Sequence, residues 1–243
     1  MTSVLPEGYY NAVTSLIFIS ISVFLGIILI LKYFKSKDIT LIYVGIAWII
    51  IVESWMPASI NLIWKMSNLQ GLSFEVRALI GNLFVPLGLI LWTLVATKIA
   101  FQEHRNTLLS IFLMLGIVFE IILFYSIFFD IALIVDVVSS VDLNMNYTLL
   151  WMGLQIIFSA ITLITGLAFS WKSLKYEDPE ISIRGKILCV AFMYFLIGAF
   201  LDILDLFFVG CFFLILSSIT FYFGFVLPDW FKKKEPISLI NKT

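Results

Sequence analysis

The fold class predicted by this sequence is all-α: a polytopic integral membrane protein built as a bundle of seven transmembrane helices. Three observations predict it. Hydrophobic residues make up 62% of the 243 positions and charged residues only 13%, more apolar surface than a soluble domain of this length has interior to hide. The mean hydropathy is +1.09. The apolar residues also fall into seven continuous runs separated by short polar loops, each close to the ~20 residues a helix needs to cross a hydrocarbon core. None of the runs alternates polar with apolar positions as a barrel strand would. In lipid a run of this kind must satisfy its own backbone hydrogen bonds, which a helix does.

The spans lie near 10–32, 39–63, 78–99, 107–129, 148–171, 186–206 and 209–229, so that residues 1–243 read as one seven-helix domain. The first is preceded by no basic region and is too long for the apolar core of a signal peptide, so it is expected to be an anchor. The second carries Glu53 and Pro57, and the third carries Asn82 and Pro86 with Arg77 at its start. A proline inside a helix removes a donor and frees a carbonyl. The two prolines are therefore expected either to open a cavity or to set fixed bends. The fourth span contains Glu120. The segment 130–147 that follows holds Asp130, Asp136, Ser139, Ser140, Asp142, Asn144 and Asn146, and is either a solvated connection or a lid over the bundle. Asn146-Tyr147-Thr148 is a glycosylation sequon placed too near the membrane for expected use. The fifth span carries Gln155, and Pro179 in the loop after it is expected to end the helix running out of that span. The sixth carries Asp202 and Asp205, and the seventh is followed by Pro228-Asp229-Trp230-Phe231 and three lysines, the composition of an interfacial anchor.

Orientation follows from the basic residues. The loops after spans one, three and five and the C-terminal tail hold 13 of the 15 Lys and Arg, leaving Lys65 and Arg77 on the other side. The positive-inside rule then predicts an outer N-terminus and a cytoplasmic C-terminus, in what is expected to be the plasma membrane. Cys189 and Cys211 fall at different depths, too far apart for a disulfide, and are expected to pack as small hydrophobes.

Several chemistries lack their residues. The seventh span has no lysine for a retinal Schiff base. A single histidine, His104 in a loop, is too few for a multi-histidine metal centre or a bis-histidine haem. No Gly-x-Ser-x-Gly elbow occurs. Asp202 and Asp205 share one helix, unlike a protease dyad contributed by two. The expectation is a non-enzyme without cofactor or metal, and with no nucleic-acid partner.

Acidic side chains within a membrane cost ~2.5–3.5 kcal/mol each near the centre of a span and so ask for a reason. At 1.5 Å rise per residue, Glu53 falls ~15 Å, Glu120 ~14 Å, Gln155 ~10 Å, and Asn82 and Asp202 ~6 Å below the outer end of their spans. Five polar side chains from five spans thus reach the same outer half. Helical spacing puts each on a stripe with small or polar neighbours, such as Gln155, Ser159, Thr162 and Gly166. Such stripes either glue helices together or line a site. The site reading takes Glu53, Asn82, Glu120, Gln155 and Asp202 as ligand- or ion-binding residues, with Arg77 as a possible ion-pair partner of Asp202 or Glu53.

The stretch Trp55-Met56-Pro57-Ala58-Ser59-Ile60 after Glu53, with Ile80-Gly81-Asn82-Leu83-Phe84-Val85-Pro86 in the next span, resembles uncharacterised seven-helix membrane proteins of archaea. Phe221-Tyr222-Phe223-Gly224-Phe225-Val226-Leu227-Pro228-Asp229-Trp230 resembles the exit from seven-helix sensor regions that precede some histidine kinases. The resemblance implies a sensory or receptor-like bundle. No kinase domain follows Lys234 in this sequence, so the signal would pass to a separate cytoplasmic partner, expected at the loop 172–186. The competing expectation is a proton- or cation-coupled transporter or channel using the same carboxylates.

Overall fold

The computed structural model describes residues 7–68, 70–136, 143, 145–204 and 206–227. Asp205, Ser139, Ser140, Asp142, Asn144 and the tail from Pro228 lie outside them. The described residues are helical apart from loops and one antiparallel bridge between Val135 and Tyr147. Seven helices are long and apolar enough to cross a membrane: Gly8–Ser36, Thr40–Ser67, Phe74–Ile99, Gln102–Phe129, Leu149–Leu174, Pro179–Asp202 and Phe207–Phe225.

Two of the seven are broken. The second span divides into α2 (Thr40–Ile51) and α3 (Met56–Asn68), separated by a single 3-10 turn over Glu53–Trp55. The third divides into α4 (Phe74–Asn82) and α5 (Val85–Ile99) at Leu83 and Phe84. Pro57 and Pro86 are the cause. Each lacks the N–H that would bond the carbonyl four residues earlier, and those carbonyls belong to Glu53 and Asn82. The chain tightens at the first break, where the Met56 N–H closes onto the Glu53 carbonyl. The other spans are continuous: α1 (Glu7–Ser36), α6 (Arg105–Phe129), α7 (Leu149–Leu174), α8 (Pro179–Ile203) and α9 (Phe207–Phe225).

Two expected boundaries change. Pro179 does not end the fifth span, since α7 stops at Leu174 and Pro179 opens α8. There its missing N–H is one of the unpaired amides of a helix start, and the Asp178 carboxylate caps the turn by accepting from the Glu180 N–H at 2.8 Å. The seventh helix ends at Phe225, earlier than hydropathy suggests.

The helices close into a ring. α1 packs on α2 and α9, α2 on α5, α5 on α7, α7 on α8 and α8 on α9, with α6 held against α5. Aromatic side chains fill the interior, where Trp48 stacks on Phe221 at 3.9 Å and Trp92 meets Phe169, Phe192 and Phe221. Small residues set the closest crossings. A Cβ on Gly45 would lie 2.7 Å from the Gly26 carbonyl oxygen of α1, a backbone atom that cannot step aside. Gly45→Val is therefore expected to destabilise the bundle by about 1–3 kcal/mol. Thermal unfolding in detergent checks this, and an unchanged midpoint would contradict the close α1–α2 crossing.

The end of the bundle rich in Lys and Arg is tied together. Lys98 pairs with Asp38 at 3.8 Å and bonds the Thr40 hydroxyl. Lys172 donates to the Ala100 carbonyl at 3.1 Å. Arg184 binds Glu180 at 2.6 Å and the Phe225 carbonyl at 2.8 Å, which fastens the loop 172–186 to the exit of α9.

Candidate functional site

The two breaks meet. Glu53 is 3% exposed, and both of its carboxyl oxygens accept from the Phe84 N–H at 3.0 Å. Phe84 stands at the start of α5, where first-turn amides have no partner within the helix. A carboxyl group from one broken span thus caps the restarted helix of the other, in the place favoured by the helix dipole.

A 3-10 turn has three residues per turn, so Glu53, Ser54 and Trp55 project in three directions. Glu53 reaches α5. Ser54 lines an internal cavity. Trp55 donates its indole N–H to the Asp202 carboxylate of α8 at 3.2 Å. Asp202 is therefore linked to Glu53 through the turn and lies on its opposite side.

Beside the second break, Asn82 is fully buried. Its side-chain oxygen accepts from Gln155 Nε2 at 2.8 Å and from the Trp151 indole N–H at 3.2 Å, while its amide donates to the Ala78 carbonyl at 2.7 Å. Asn82→Leu would strand two donors inside the bundle, at an expected cost of about 1–3 kcal/mol. A double-mutant cycle with Trp151→Phe should show coupling, and strict additivity of the two changes would contradict the bond.

The described residues 131–136, 143 and 145–148 form the roof. Ile134, Val135 and Leu143 are buried, and the first two join a cluster with Ala78, Phe119 and Trp151. The Asp136 N–H bonds the Asn146 carbonyl at 2.8 Å and the Thr148 N–H bonds the Ile134 carbonyl at 2.9 Å. Thr148 then caps α7 by accepting from the Trp151 N–H at 3.3 Å. The described part of this segment is thus folded onto the helix ends. It brings in Tyr147, whose hydroxyl is buried beside Asn82 and Gln155 without a well-formed hydrogen bond to either. Burial pushes the Tyr147 phenol up to about 12, so it is a neutral group at any physiological pH. Arg77 and Glu53 both lie within electrostatic reach of it.

Arg77 is buried, donates to the Leu143 carbonyl at a long 3.4 Å and lies 4.7 Å from the Phe74 ring centre. These contacts direct it to the roof. Glu120 is close enough to Glu53 for the two carboxyl groups to interact, but it sits on a different surface. With Pro86, Gly116, Ile117 and Phe124 it lines an apolar groove of about 510 Å³ along α5 and α6, and Ile117, Ile121 and Phe124 are exposed there, as lipid-facing side chains are. Its Oε2 atom has no hydrogen-bond partner among the described residues. Of the five polar residues expected to share a site, Glu53, Asn82 and Gln155 meet at the breaks. Glu120 approaches from the groove, and Asp202 lies beyond Trp55.

Below this junction is the cavity lined by Ser54, of about 70 Å³. Trp48, Trp92, Phe158, Phe192 and Phe221 wall it, and Gln155, Ser159 and Thr162 of α7 supply polar edges. Gln155 is shared, bonded to Asn82 above and facing the cavity below.

Tyr147, Trp151 and Trp48 are the site residues that sequence reasoning missed. Trp48 and Trp151 lie inside apolar runs that give them no distinguishing pattern, and Tyr147 lies in a sequon. One signal was available, since Ile131, Ile134, Val135, Leu143 and Met145 give an otherwise polar segment an apolar face.

Comparisons with family models, with curated proteins and with solved structures find no match to this chain.

Proposed function

We propose that this chain is a receptor-like seven-helix membrane sensor that takes a small external ligand into the bundle beneath the roof formed by residues 131–136, 143 and 145–148. The observation that carries this reading is the Glu53–Trp55 turn. Its three side chains contact the helix break, the cavity and α8. A ligand against Ser54 therefore acts on a turn that also holds Phe84 and Asp202. The energetic requirement is a difference in ligand affinity between two arrangements of that turn. The basic residues orient the roof outward and the loop 172–186 inward, in the plasma membrane. Two contacts lead to that loop. Trp55 is bonded to α8, whose first turn is the end of the loop, and Phe221 of the cavity wall packs at 4.9 Å on Phe225, whose carbonyl Arg184 holds. Glu53, Asn82, Gln155 and Asp202 then transmit occupancy, Glu120 is coupled to Glu53 across α5, and Arg77 seats the roof. A separate cytoplasmic partner reads the loop.

The paired breaks favour a second reading, a proton- or cation-coupled transporter, because interrupted helices with a carboxyl group between them also build ion sites in carriers. Proteoliposome flux separates the two. The receptor reading expects no flux of protons or monovalent cations, together with ligand-dependent cross-linking from the loop 172–186 to a co-purified protein. Flux abolished by Glu53→Gln would overturn it. Arg184→Ala is expected to uncouple that cross-linking while leaving ligand affinity within about twofold, since the change lies at the far end of the bundle.

A further inference from the structure

The aromatic cavity has properties that narrow the ligand. Trp48 is 4% exposed, lines the cavity and stacks on Phe221, yet its indole N–H has no hydrogen-bond partner among the described residues. The other cavity tryptophan shows the usual arrangement, with the Trp92 N–H donating to Thr165 Oγ1 at 2.9 Å. Buried tryptophan donors are normally paired, and one left open in a low-dielectric interior is costly. In the same cavity lining, the Ser54 and Ser159 hydroxyls make no hydrogen bond among the described residues, whereas Thr162 is spent on the Phe158 carbonyl at 3.0 Å. Among the described residues no charged side chain lines the cavity. Ser159 is exposed although it belongs to the wall, so the cavity is open along α7.

We infer that this cavity binds a small, neutral, membrane-partitioning molecule with an apolar body and one hydrogen-bond acceptor, a carbonyl or ether oxygen, which takes the Trp48 N–H. The chemistry selects this class. An inorganic ion would find no counter-charge and would lose its hydration among aromatic rings. A cation drawn to the ring faces would meet an indole N–H dipole of the wrong sign. A pure hydrocarbon would leave the donor open. A volume of about 70 Å³ is roughly half the ~150 Å³ of an engineered apolar cavity that admits benzene, which limits the ligand to a few heavy atoms unless the α7 side yields. The inference rests on the receptor reading for what occupancy does, and on the cavity alone for what binds.

The test uses the full chain in nanodiscs and saturation-transfer NMR with two four-heavy-atom probes of one shape, acetone and 2-methylpropene, the second having CH₂ in place of oxygen. Tetramethylammonium is the cationic control. Acetone is expected to bind saturably and about fivefold more tightly than 2-methylpropene, the worth of one neutral hydrogen bond. Trp48→Phe keeps a ring against Phe221 and should erase that preference without abolishing binding. Ser159→Leu and Thr162→Leu each fill the cavity and should remove binding of both probes, which also subtracts partition into lipid. No saturable binding to folded wild type would overturn the inference and leave water as the occupant. Equal affinity for both probes, a preference that survives Trp48→Phe, or preferential binding of tetramethylammonium would overturn it as well. Binding as expected with a loop 172–186 that does not respond would instead count against the receptor reading alone.

Discussion

Glu53→Ala is expected to lower the stability of the bundle by about 2–3 kcal/mol, the cost of losing a hydrogen bond to a carboxyl group and leaving the Phe84 N–H unpaired inside the membrane. Alanine offers no acceptor, and water is not at hand at that depth to replace one. Glu53→Gln keeps an acceptor oxygen in the same place and should cost less than half as much. Equilibrium unfolding in mixed micelles measures both. If alanine and glutamine are equally mild, the carboxyl group does not hold the two broken spans together, and the mechanical link from Ser54 to Phe84 fails with it. The receptor reading adds that Glu53→Gln changes ligand-dependent cross-linking at 172–186 while proton flux stays at the lipid background.

Trp151→Ala should cost more, about 3–5 kcal/mol as for other large aromatic residues cut from a core. Trp151 is fully buried, packs on Phe119 at 4.8 Å and donates to Asn82. Trp151→Phe retains most of the packing and loses the indole donor, so about 1 kcal/mol is expected. The alanine variant should also loosen the roof, because Ile134 and Val135 share a cluster with Trp151. Amide hydrogen exchange at Asp136 and Thr148, whose N–H groups hold the roof's bridge, reads that directly. A large fall in stability with unchanged exchange at those two amides would separate the roof from the bundle and remove the grounds for treating it as a cover.

Much of the architecture is legible in the residues. Seven apolar runs become seven helices because a spanning segment must satisfy its backbone internally. Pro57 and Pro86 mark the breaks because a missing N–H acts locally. The position of Pro179 misleads for a related reason. The same ring that stops one helix also suits the first turn of the next, and only the length of the preceding turn decides between them.

Rotation about each helix axis is less readable. Glu120 lies at a depth like that of Glu53, yet it lines a groove on the lipid side of α5 and α6. The fourth span stands outside the ring, and hydropathy alone does not reveal which face of an outer helix turns inward when nearly every residue is apolar. Asp202 is likewise at the expected end of its helix and on the far side of Trp55. Tyr147 joins the junction through its antiparallel bridge to Val135, a pairing twelve residues apart along the chain.

The sequence by itself determines that the chain carries seven segments long and apolar enough to cross a membrane, which two of them hold an internal proline, and which polar groups lie within them. These are consequences of local composition and of distance along a helix. Only the tertiary structure decides that the breaks face one another, that one carboxyl group caps the restarted helix of the other span, and that the indole N–H of Trp48, beside an aromatic cavity, has no partner among the described residues. Those facts depend on how each helix is rotated against its neighbours, which packing between distant side chains settles and no single span encodes.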